Sequence, residues 1–554
     1  MPRVRSLSRS HPVAGTGGIA RREAVAWAGV LAVAAGVLLH LPMYLGARGM
    51  GYRLATMSID APMILGMILI VLGLVATAYG LFPKVGVSSR DHVSRLRVKA
   101  LDDAAIRPAH VGLMVVMAVA VTIDVMKPTA LAFVVPGFAK EYGLQSPSHP
   151  SGHAPAALLP LAGIAGTVIG SFLWGWLGDR IGRRASILLA GVLFVATAIC
   201  GSMPSYQLNL AMCFLMGLGV GGMLPIIFTL IAETIPARHR GWLMVLVGGD
   251  VAGGYILTSW LSSTLVPHYS WRILWLIGLP TGLLLIGLNR FIPESPRFLL
   301  AHGREAQARA VMARYGAEVV PDNEPDLAVE ELIKPGFLQL LLRPFRSLTG
   351  VVVLLAVGVG LVSFGFQLWI PSNLQRLGFK EVTANGILRD SALIGFPLNF
   401  VVAWLYGAWS TKRTIALLAG LTAAALFGFA IAGDEVAHDR TLLYALLVVP
   451  IWGISSVTAV VAAYSSEVYP TRVRSRGTGL AAGASKAGGV LIIGLVVAGV
   501  AAPTITGTAL IGAIPMTFAA LGALWFGIET RKRRLEQITA HELGEVRPSA
   551  AQLL

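Results

Sequence analysis

The sequence predicts an all-α polytopic membrane protein, built of two six-helix halves with two extra transmembrane helices in front. Three observations carry this. Of 554 residues, 55% are hydrophobic and 13% charged, with a mean hydropathy of +0.72, which is more apolar than a water-facing surface tolerates. Apolar runs of ~20 residues, each long enough to cross ~30 Å of hydrocarbon, recur along the whole chain. Finally, the chain repeats itself. The segment Glu233 to Arg240, with Pro236 and Arg238, recurs as Glu467 to Arg474, with Pro470 and Arg472, at an offset of 234. Gly175 matches Gly407 at 232, and Pro136 and Gly143 match Pro371 and Gly378 at 235.

In chain order, residues 1–23 read as a basic tail and 24–108 as the two extra spans, near 24–45 and 61–82, with a basic linker. The first of these is too long for a signal-peptide core and reads as retained. Residues 109–292 hold the first six-span half, 293–347 a polar central loop, 348–530 the second half, and 531–554 a tail. Lys and Arg cluster in alternate loops, at 90–107, 180–184, 238–240, 412–413, 472–476 and 531–534. The positive-inside rule puts these loops, and both termini, in the cytoplasm of what reads as a bacterial plasma membrane. In the extra pair, Gly66, Gly73 and Gly80 recur every seven residues and Ala28, Ala32 and Gly36 every four. Such smooth faces suit packing on another helix, on the bundle or on a partner or second copy.

Several function classes fall away. The net charge of +16 resides in short loops between spans, which excludes a nucleic-acid surface. Cys200 and Cys213 lie inside apolar runs and form neither a disulfide framework nor a metal site. His149 and His153 belong to a Pro/Ser-rich loop. No nucleotide-binding loop or catalytic triad is present, so neither a cofactor nor an enzyme activity is expected.

The stretch Gly175 to Arg184 packs Gly178, Asp179, Arg180, Gly182, Arg183 and Arg184 between two spans. It resembles the loop between the second and third helices of the major facilitator superfamily. Pro293-Glu294-Ser295-Pro296-Arg297 is similar to the sequence after the sixth helix of sugar porters and organic-ion symporters of that superfamily. The resemblance covers about 109–530. It implies the twelve-helix fold, a midplane site between parallel halves, alternating access, and small-molecule and proton partners. It also implies that Asp179 latches the cytoplasmic side against the N-terminus of the span starting near Gly477. The second half keeps Gly407, Lys412 and Arg413 but has Thr411 where the acid would be. Glu233 and Glu467, with Arg238, Arg240, Arg472, Arg474 and Arg476 just beyond, read as gate ion pairs. The paired glutamines of sugar porters are absent; Gln367 and Trp369 stand there and are the candidates to line the cavity.

Charges inside spans each cost several kcal/mol unless they are paired or wetted. Asp124 and Lys127 stand three apart and can pair. Asp124 lies ~22 Å along its span, with Pro128 able to kink the helix beside it. Asp250 stands where proton-driven exporters carry a proline, and Cys213 where many relatives carry an arginine, leaving Lys127 as its substitute. Asp124, Lys127 and Asp250 are therefore the proton-coupling candidates, and Arg389 and Lys486 join Gln367 and Trp369 as substrate candidates. The reading is a proton-coupled symporter of a small organic ion, with a carboxylate favoured. Its alternatives are a proton-coupled efflux antiporter and a non-transporting sensor or assembly subunit.

Overall fold

Hydrocarbon offers no partner to a backbone N–H or C=O, so so apolar a chain must close its hydrogen bonds within helices. The computed structural model describes residues 16–55, 57–82, 96–98, 105–146, 151–316, 319–321, 337–342, 345–469, 471–499 and 504–531. Among them, 14 helices are long and apolar enough to cross a membrane. They are α1 (Arg21–Met50), α2 (Ala61–Leu81), α3 (Pro108–Tyr142), α4 (Leu158–Gly178), α5 (Arg183–Ser202), α6 (Tyr206–Thr234) and α7 (His239–Tyr269). After these come α8 (Ile273–Phe291), α9 (Arg346–Arg376), α10 (Glu381–Trp409), α11 (Thr411–Ala437), α12 (Arg440–Val468), α13 (Arg476–Val497) and α14 (Ile505–Phe526). The number and order match the sequence reading.

Helices α3–α8 and α9–α14 form two bundles that meet with α4 against α13 and α7 against α10 and α12. At the end bearing the Gly175–Arg184 loop, hereafter the basic face, Ser466 approaches Met244 at 3.8 Å. At the opposite face, Asn385 Nδ2 donates to Ser262 Oγ at 3.0 Å.

The extra pair packs on itself and then on this chain's own bundle. A Cβ at Gly36 would fall 2.6 Å from the Gly66 carbonyl oxygen, and one at Gly73 2.6 Å from that of Gly29. The glycine faces therefore meet each other, and α1 contributes Gly29 and Gly36, seven apart, while Ala28 points outward. Behind this contact, Val30, Val37, Met63 and Ile70 form an apolar cluster with Val192, Val195 and Ile199 of α5 and Ile286 of α8.

Between α1 and α2, the chain turns through two left-handed residues, Gly51 and Tyr52. The Tyr52 ring stacks on Tyr44 at 4.9 Å and leans on Tyr269, and the Tyr44 hydroxyl donates to the Tyr269 carbonyl at 2.6 Å. The turn ends on Glu141, at the end of α3. The Glu141 carboxylate accepts from the Leu54 and Ala55 amides at 2.9 and 3.2 Å and from Trp271 Nε1 at 2.9 Å. It also pairs with the fully buried Arg272 at 2.8 Å. Arg272 donates in turn to the Met203 carbonyl and the Tyr142 hydroxyl. One buried ion pair thus joins the α1–α2 turn, the end of α3, the α5–α6 turn and the α7–α8 turn. At the basic face, β1 (Leu96–Val98), from the linker after the extra pair, runs antiparallel to β2 (Val319–Pro321) of the central loop.

Removing one member of a buried ion pair strands the other charge and costs about 3–5 kcal/mol. Glu141→Ala should therefore lower the thermal unfolding midpoint of the purified protein by several degrees. A midpoint unchanged to within about a degree would contradict the hub.

Candidate functional site

Helices α3, α4, α6 and α7 of the first half and α9, α12 and α13 of the second surround a cavity of about 150 Å³. A cavity of about that volume accommodates a benzene ring. Its charges are Asp124 on α3 and Lys486 on α13, one from each half. Thr167, Tyr255, Ser363, Gln367, Ser455 and Thr458 add polar groups, and Val125, Leu131, Ile164, Met216, Phe364 and Leu368 much of the apolar wall.

The helices are irregular at the cavity. Pro128 has no N–H to give the carbonyl of Asp124, and both residues line the space. Residues Val362–Gln367 of α9 form a π-helical turn, which brings Ser363, Phe364 and Gln367 together on the wall. Such turns are rare and collect at functional sites. Irregular backbone at membrane depth is tolerated where it borders a cavity.

Asp124 is 1% exposed, and its Oδ1 has no hydrogen-bond partner among the described residues. Its electrostatic partner is Lys486, across the cavity. The expected pair with Lys127 is not formed. Three residues advance a helix by ~300°, leaving the two side chains ~60° apart, and α3 is buried on both of these sides. Lys127 turns into the first half, with Nζ 3.5 Å from the Phe194 carbonyl oxygen, beside a separate small pocket lined by Thr258, Gly278 and Thr281.

Asp250 sits at the junction within α7 where one helical segment ends at Gly249 and the next, Val251–Tyr269, begins, and accepts a hydrogen bond from Thr122 Oγ1 of α3. Its neighbour Val251, not Asp250 itself, reaches the cavity. Gln367 lines the cavity wall. Trp369 is buried outside it, and Arg389 is paired with Asp390 at 2.7 Å, also outside it. Lys486, one of the substrate candidates, is the basic group of the cavity. The sequence reading missed Tyr255, Thr167 and the hydroxyls of α12; no charge or motif marks them.

At the basic face, Arg183 pairs with Glu233 at 3.2 Å and donates to the Gly178 carbonyl. Arg180 lies over the Trp176 ring, and Arg184 donates to Asn289 Oδ1. The N-terminus of α5 is capped by Glu294, which accepts from the Arg183 and Arg184 amides at 2.7 and 3.3 Å. Gly182 takes φ +94°, and a Cβ there would lie 2.3 Å from Glu294 Oε2, so both backbone angle and space demand glycine.

In the second half, Glu529 caps α11 in the same way, accepting from the Thr411 amide at 3.0 Å and from the Ser410 hydroxyl. Glu294 and Glu529 stand 235 apart, the offset already seen for Pro136 and Pro371. That repeat was available in the sequence and would have found both caps. Burial pushes the Glu294 carboxyl above the usual carboxylate range against the pull of its amide donors. At the half-buried Glu529 the donors outweigh burial, and its carboxyl falls below that range.

Glu467 accepts from Tyr406 and Thr530, each at 2.8 Å. Arg240 donates to the Ile235 carbonyl, and Arg476 is half-buried beside this face. The side chains of Asp179, Arg238, Arg472 and Arg474 lie outside the described residues.

Residues 131–541 match the family model described as "Sugar (and other) transporter". Over 399 residues the chain is 27% identical to the niacin transporter NiaP of Acinetobacter baylyi, covering 71% of this chain and 88% of that protein. It is 25% identical over 427 residues to the 4-hydroxybenzoate transporter PcaK of the same organism, covering 74% and 89%. In structure it resembles the major facilitator proton:xylose symporter XylE with a TM-score of 0.62 and 18% identity, covering 78% of this chain and 99% of that one.

The geometry makes opposite forecasts for the two lysines. A hydrogen bond to a charged group is worth about 1.5–3 kcal/mol, so Lys486→Met should weaken binding of an anionic ligand in the cavity at least about tenfold. Lys127→Met should leave that affinity within about twofold, because Lys127 faces away. Calorimetric titration of the purified variants decides it; equal losses would mean the assignment of the two charges is wrong.

Proposed function

Because this chain belongs to the sugar (and other) transporter family of membrane carriers, we propose that it is a proton-coupled symporter of a one-ring carboxylate. The observation that carries this reading is the Asp124–Lys486 arrangement. An acid of one half and a base of the other face a single ring-sized cavity whose remaining wall is apolar and hydroxyl-bearing. In the empty carrier, ionised Asp124 balances Lys486 across the cavity. Protonation of Asp124 removes that balance and leaves Lys486 free to hold the substrate carboxylate. Loading both the proton and the anion restores neutrality, and a neutral pair crosses the low-dielectric interior at much lower cost than an unpaired charge.

The relatives support the substrate class, since niacin and 4-hydroxybenzoate are the compounds named for two of them and each is one ring with one carboxylate. The proton:xylose symporter shares the fold. In this reading the basic face is cytoplasmic. The Gly175–Arg184 loop, in which the family resemblance makes Asp179 the latch, is the switch that releases that face. Glu233, Arg183 and Glu467 hold the ends of the moving helices. Asp250, tied to α3 through Thr122, is a second acid through which protonation acts on the helix that carries Asp124.

The test is uptake of radiolabelled 4-hydroxybenzoate and niacin into proteoliposomes with the outside acidic. Accumulation should vanish when the pH gradient is collapsed and in Asp124→Asn. Accumulation that survives in Asp124→Asn would remove Asp124 from proton coupling. A requirement for the reversed gradient would replace symport with antiport.

A further inference from the structure

The cavity holds two buried polar groups that the protein leaves unmatched. Asp124 Oδ1 is one. The other is the Tyr255 hydroxyl, on a side chain only 3% exposed, with no hydrogen-bond partner among the described residues. The Tyr255 ring packs against Phe133 with their centroids 5.8 Å apart. Gln367 of the other half approaches the hydroxyl without completing a hydrogen bond. A buried hydroxyl left unpaired destabilises the state that holds it, and sites that hold such a group discriminate against ligands unable to pair with it.

We propose that Tyr255 determines specificity in this carrier. Its hydroxyl, with Gln367 beside it, selects ring carboxylates that carry a second polar group on the ring over those that do not. The inference rests on the ring-carboxylate reading above and goes beyond it in assigning two tasks to two places. Lys486 takes the carboxylate, which every such substrate has. Tyr255 reads the ring substituent, which distinguishes them. Tyrosine suits this task because its hydroxyl both donates and accepts, so that a ring hydroxyl or a ring nitrogen satisfies it equally. Shape alone discriminates poorly in an apolar cavity, whereas a buried hydrogen bond discriminates strongly.

The experiment measures affinities of the purified full-length protein for 3- and 4-hydroxybenzoate and for the size-matched 3- and 4-methylbenzoate, by calorimetric titration. In the wild type, at least one hydroxybenzoate should bind about tenfold more tightly than its methyl counterpart. In Tyr255→Phe that ratio should collapse to within about twofold, through loss of the hydroxybenzoate affinity alone. A wild-type ratio near one overturns the proposal, as does a ratio that Tyr255→Phe leaves intact. If the wild type binds none of the four compounds, the ring-carboxylate reading fails and this proposal falls with it. Binding without discrimination removes only the role of Tyr255. Should Tyr255→Phe not fold, the wild-type hydroxyl-to-methyl ratio and its loss in Gln367→Leu decide the matter.

Discussion

An ionised side chain in hydrocarbon needs a counter-charge or a wetted space, and that constraint organises this chain. Few charges lie deep in its spans, and the structure gives each a definite setting. Asp124 and Lys486 share a cavity between the halves. Asp250 is tied to a threonine of a neighbouring helix. Lys127 reaches a backbone carbonyl inside the first half. The first arrangement places opposite charges on the two halves, so neutralising one of them alters the energy of the interface between them. The irregular backbone of α3 and α9 falls at the same depth because the cavity is where unpaired carbonyls and widened turns are tolerated.

The two termini of this machinery are handled differently. At the basic face, the links are carboxylates capping helix N-termini, Glu294 on α5 and Glu529 on α11, reinforced by Arg183 and Glu233. Each cap lies within one half, so each ties together its own half and does not cross the interface. At the opposite face, the first half is held by the buried Glu141–Arg272 pair, and the described residues of the second half show no equivalent ion pair of comparable burial. The duplication seen in the sequence has therefore been kept where the halves must work alike and has diverged where the extra helices attach.

Much of this was legible in the sequence. Hydropathy marked all the spans, because ~20 apolar residues in a row leave few other folds open. The repeat offsets marked the halves, and the Gly175–Arg184 loop marked the family. What was not legible was rotation. Asp124 and Lys127 are three residues apart, and nothing in the local pattern says which of two buried faces of α3 meets the cavity; the packing of α7 and α8 against one face decides it. Tyr255 escaped for a related reason, since a lone tyrosine in an apolar run acquires meaning only when its neighbours fail to satisfy it. Gly36 was read with Ala28 and Ala32, yet its working partner along α1 is Gly29, because two helices in close contact select a seven-residue repeat.

The extra hairpin has a consequence that concerns the lipid more than the protein. By covering α5 and α8, it replaces part of the annular lipid shell of the first half with protein. Among the described residues the second half has no such sleeve, and α11 and α14 carry exposed apolar side chains such as Ile431, Phe518 and Trp525. Changes in bilayer thickness or lateral pressure therefore act on the two halves unequally. In the proposed symport cycle, in which one half would rock against the other, such a difference would make the membrane itself an asymmetric load.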